Sequence, residues 1–80
     1  MMKMSSLRTF DISYLLIDED HIAYLKNMKF SSLFQLICDS NSIKDEEGKL
    51  FINKKTMPKL KVLSIQQNFL TSNFIAHLNR

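Results

Sequence analysis

One spacing of apolar residues recurs along this chain at a near-constant interval, and it leaves few folds open. Residues 60–70 read LKVLSIQQNFL. Twenty-seven positions earlier, residues 33–43 read LFQLICDSNSI, so that Leu33, Leu36, Cys38, Asn41 and Ile43 stand where Leu60, Leu63, Ile65, Asn68 and Leu70 stand. Twenty-six positions earlier again, residues 7–17 keep Leu7, Phe10, Ile12 and Ile17, with Leu15 in the place of the asparagine. Ser5-Ser6 and Ser31-Ser32 precede the first two copies, and Pro58-Lys59 the third. A fixed period of this size signals similar units laid side by side, none able to bury its apolar side alone.

The spacing has a direct physical reading. Alternate residues of a short strand point to one side. Phe10 and Ile12, Leu36 and Cys38, and Leu63 and Ile65 are therefore expected to face a common interior. The chain must then turn sharply, and a buried Asn side chain is suited to bind the backbone groups that the turn leaves unpaired. Asn41 and Asn68 are the candidates for such a ladder. The apolar residue at 17, 43 or 70 re-enters the core. Stacked units of this kind place one strand each in a parallel sheet.

The shared pattern, L-x-x-L-x-[I/C]-x-x-N-x-[L/I], resembles that of the leucine-rich repeat family. Two copies match at all five marked positions and one at four, and the resemblance covers the whole chain as one domain, 1–80, with repeats at about 7–32, 33–59 and 60–80. The resemblance implies an α/β solenoid fragment, with three short parallel strands and helices or turns on the convex side. It also implies a concave strand face that binds a protein partner. Five columns of residues would cross that face: Arg8, Phe34 and Lys61; Thr9, Gln35 and Val62; Asp11, Ile37 and Ser64; Ser13, Asp39 and Gln66; Tyr14, Ser40 and Gln67. Of these, Arg8, Asp11, Tyr14, Phe34, Gln35, Asp39, Lys61, Gln66 and Gln67 are the expected partner-binding residues. Aromatic and Arg anchors among polar neighbours suit an interface.

The connectors carry weaker signals. Asp18 or Asp20 suits a helix N-cap, acids fill the first turn, and Ile22, Leu25 and Met28 form a stripe, so a helix is expected over about 19–28. Ser72 is a candidate cap for a second helix, with Phe74, Ile75 and Leu78 inward. Between them, "DEEG" at 45–48 reads as a turn, and Leu50, Phe51 and Ile52 as a displaced or shortened helix or a brief extended piece. Pro58 closes that segment.

Composition narrows the function. Cys38 is the only cysteine, so no disulfide framework points to secretion, and no signal-type or membrane-length apolar run occurs. The cytosol is the default. His21 and His77 lack ligand-spaced partners, and one glycine cannot form a phosphate loop. No catalytic residue, metal or cofactor is therefore expected. Charge is uneven: residues 1–47 hold five Lys/Arg against eight Asp/Glu, a net of −3, and residues 48–80 hold six Lys/Arg and no acid, a net of +6. The expected role is a non-catalytic module that binds a protein through the concave face, or a partner or itself through an open end. The alternative is a small, basic, all-α DNA-binding regulator, with helices at 55–63 and 67–79, a turn at Ser64-Ile65-Gln66, and Lys residues of 49–61 on phosphate.

Overall fold

The computed structural model describes residues 2–3 and 5–78. In chain order its elements are β1 (Met2–Lys3), β2 (Thr9–Asp11), α1 (Glu19–Leu25), β3 (Met28–Lys29), β4 (Gln35–Ile37), α2 (Asp45–Phe51), β5 (Val62–Ser64) and α3 (Ser72–Leu78). Strands β2, β4 and β5 form a parallel sheet with β4 in the middle. Phe10 lies beside Leu36 and Leu36 beside Leu63, the partners that the 26- and 27-residue offsets dictate. The chain is thus a small α/β domain, and the all-α alternative fails. Residues 62–64 are extended and bonded to β4, so 55–63 is not a helix and no helix pair exists there to enter a DNA groove.

Each strand leads into a tight turn, and the turns repeat as closely as the strands. Tyr14, Ser40 and Gln67 all adopt left-handed φ near 60°, and Leu16 (50°) and Ser42 (57°), two residues on in the first two units, are left-handed as well. The three helices then begin two residues after Ile17, Ile43 and Leu70 and run for seven residues each. Helix α2 packs between α1 and α3 as β4 lies between β2 and β5, giving a helix layer over a sheet layer. The core centres on the middle unit, where Leu33, Leu36, Cys38, Phe51 and Ile52 have no exposed surface, and Phe30 and Phe74 join them from the units on either side.

Several connector expectations need correction. Helix α1 ends at Leu25, and Met28 joins β3, which pairs with β1 in a second, two-stranded parallel sheet. Helix α2 is neither displaced nor preceded by a turn; it starts at Asp45 and takes in the whole of "DEEG". Gly48 serves packing, because a Cβ there would lie 2.8 Å from Cε1 of Phe74. In α3 the cap is Thr71, whose hydroxyl accepts the Asn73 N–H. Phe74 is the buried residue, whereas Ile75 is 48% exposed.

The change of period from 26 to 27 also has a place. Asn27 and Asn53 both follow a helix by two residues and both donate through Nδ2 to a helix carbonyl four residues back. Three residues after each asparagine, Phe30 N–H donates to Thr56 C=O, the offset that sets Phe30 level with Met57. The extra residue lies in the turn at 54–56, which replaces the short strand that Met28–Lys29 makes in the unit before.

Candidate functional site

The junctions between units show how the surface is held. Asn41 is buried. Its Oδ1 accepts the N–H groups of Leu15 (3.0 Å) and Ile17 (3.3 Å), and its Nδ2 donates to Ile12 C=O (2.8 Å). Asn68 repeats this one unit later: Oδ1 accepts from Asn41 (3.2 Å) and Ile43 (2.8 Å), and Nδ2 donates to Cys38 C=O (2.8 Å). Each asparagine therefore grips the turn of the unit before it. Backbone groups complete each junction. Ile12 and Tyr14 N–H donate to Ile37 and Asp39 C=O, and Cys38 and Ser40 N–H donate to Ser64 and Gln66 C=O.

The sheet face turned away from the helices carries two of the five expected columns in register, Thr9, Gln35 and Val62 in one and Asp11, Ile37 and Ser64 in the other, while Arg8, Phe34 and Lys61 lie just ahead of the strands and the remaining two columns beyond them. Phe34 is 45% exposed and Val62 40% exposed, and the two residues are joined by the Val62 N–H to Phe34 C=O bond. Gln35 is half-buried, and Arg8, Asp11, Lys61, Gln66 and Gln67 are exposed. Asp39 differs from these. Its carboxylate accepts the Ser64 hydroxyl (2.8 Å) and the Gln66 N–H (2.8 Å), so it ties the third strand to the second rather than standing free. Asp11 accepts the Ser13 N–H, which lowers its carboxyl pKa below the ordinary value. Tyr14 lies off the sheet, on the turn, 77% exposed beside the exposed Leu15 and Leu16. The motif points to Tyr14 alone; the signal for its neighbours is the apolar Leu15 where the other units carry Asn.

Groups with reactive chemistry are engaged in structure. The Cys38 thiol is buried, and burial, with a smaller push from the Asp39 charge, raises its pKa to about 12. His21 Nδ1 accepts the Asp18 N–H, while Asp18 caps α1 by accepting from Asp20 and His21. His77 Nε2 lies 3.1 Å from Ile52 C=O, which puts a proton on that nitrogen. It borders a cleft of about 440 Å³ with Lys54, Met57, Leu60 and Lys61. Among the described residues, no three His, Cys, Asp or Glu lie close enough to hold a metal ion. No helix among them is long and apolar enough to cross a membrane.

The fold and this surface define a class: a small α/β chain of three similar strand–turn–helix units. No family model, curated protein or solved structure matches it.

Proposed function

We propose that this chain is a leucine-rich-repeat-like solenoid fragment acting as a non-catalytic protein-interaction module in the cytosol, its concave strand face the contact surface. The observation that carries the reading is the set of exposed apolar side chains on a firmly bonded frame. Val62 stands on β5 with Phe34 just ahead of β4, and Tyr14, Leu15 and Leu16 stand on the turn edge. Exposed apolar groups ringed by Arg8, Gln35, Lys61 and Gln66 have the make-up of an interface centre with a polar rim. Little order needs to be gained on binding, because the strands and turns are already fixed by the junction bonds.

The test is a paired capture experiment with the intact chain and a Phe34→Ser/Val62→Ser variant. Both side chains are substantially exposed, so the far-UV circular dichroism of the variant should match that of the parent. A protein that binds the parent reversibly and loses about tenfold or more in affinity for the variant supports the reading, since an anchor truncation costs about 1–2 kcal/mol or more. Equal binding by both chains removes the sheet face from the proposal.

A further inference from the structure

The outward side of the third unit lacks what the first two possess. In the first unit, the N–H groups of Ile12, Tyr14, Leu15 and Ile17 are all bound by the second. In the second unit, the equivalent amides of Cys38, Ser40, Asn41 and Ile43 are all bound by the third. The equivalent amides of the third unit are those of Ile65, Gln67, Asn68 and Leu70. Among the described residues these four have no acceptor, and β5 is an edge of the sheet. The apolar positions follow suit: Leu36, Cys38 and Ile43 are buried, whereas Leu63, Ile65 and Leu70 are only half-buried. They line a hollow of about 400 Å³ with Asn68 and Ile75.

The two existing junctions define what fits. Each time, the incoming segment presents the last carbonyl of its strand, a second carbonyl two residues on and, two residues further, an asparagine: Ile37, Asp39 and Asn41 in one case, Ser64, Gln66 and Asn68 in the other. We infer that the open side of the third unit is a docking site for an extended segment of a partner protein carrying the same pattern. That segment is an L-x-[I/C]-x-x-N-x-[L/I] stretch whose apolar residues enter the hollow and whose asparagine grips the Asn68 and Leu70 amides. This rests on the reading of the chain as an interaction module and names the partner chemistry for its second surface. The occupant is not a second copy of this chain. Its two asparagine-bearing segments are already spent in its own junctions, and its other sheet edge belongs to the unit with Leu15.

A synthetic peptide copying residues 60–73 supplies the pattern in isolation, and a peptide with Asn68→Leu supplies the control. Amide exchange of the full chain, read by NMR with millimolar peptide, is the measurement. The expected result is a slowing by about tenfold or more at Ile65, Gln67, Asn68 and Leu70, with the leucine peptide bound about tenfold more weakly. Unchanged exchange at these four amides, or equal protection by both peptides, overturns the inference. Peptide binding that shifts only the side-chain resonances of Phe34 and Val62, whose amides are already bonded within the chain, overturns it too, yet leaves the sheet-face reading standing, so the two failures are distinguishable.

Discussion

At the scale of single residues, the two asparagines are chemically alike and energetically unequal. Asn41 is itself buried between two units, with Oδ1 and Nδ2 both committed, so its removal strands two part-buried amides and a buried carbonyl. Asn68 makes the same bonds but is half-buried, so water replaces part of what it supplies. Asn41→Ala is expected to cost about 2–3 kcal/mol, and Asn68→Ala about 1–2 kcal/mol, as unsatisfied polar groups at these two levels of exposure do. Urea unfolding of the two variants orders them; the reverse order would contradict the assigned bonds. Both asparagines are legible in the sequence, because only a polar residue at a fixed place in an apolar repeat draws the eye. Asp39 is not. It sits on the sheet face like a binding residue, and only the geometry reveals that Ser64 and Gln66 occupy its carboxylate.

The helices are where local sequence and tertiary packing disagree. Gly48 within "DEEG" reads as a breaker, and a glycine inside a helix does cost about 1 kcal/mol relative to alanine. The helix forms nonetheless, because the buried Phe74 ring needs the space that a Cβ would fill, a contact 26 residues away that no local pattern reports. Gly48→Ala should therefore destabilise the chain despite its better helix propensity, by a net of up to about 2 kcal/mol, since overpacking costs about 1–3 kcal/mol against a propensity gain of about 1 kcal/mol; thermal melting decides the sign. The same helix is tied to α3 through Asp45, whose carboxylate accepts both the hydroxyl and the N–H of Thr71. These bonds, helped by Lys49, lower the Asp45 pKa from the usual 3.8. A lowered carboxyl pKa stabilises the fold fully above the unfolded value, and that contribution fades as pH falls through the lower folded value. Unfolding midpoints are thus expected to hold level down to about pH 5 and to fall in more acid solution. Asp45→Asn should shrink that acid-side drop without altering its sign.

Across the whole molecule, stability should be graded along the stack. Backbone bonds tie the second unit on both sides, and the third on one. Amide exchange of the free chain is expected to be slowest at Cys38, Ser40, Asn41 and Ile43, and fastest, among the equivalent turn positions, at Ile65, Gln67, Asn68 and Leu70. Uniform exchange along the three turns would contradict this gradient. Strand order and register follow from a repeat visible by eye, since Leu36 can pair with Phe10 and Leu63 only if the apolar columns coincide. The second sheet is harder to read, because Met2–Lys3 and Met28–Lys29 are two residues long and their counterpart at 54–56 is a turn. The asparagine bonds also give the molecule a sense of direction, since every grip runs from a later segment to an earlier one. A circular permutant beginning at residue 33 and finishing with residues 1–32 would contain every residue of the parent. Leu15 would then arrive where a hand is needed to hold Asn68 and Leu70, so relocating that segment is not a neutral rearrangement.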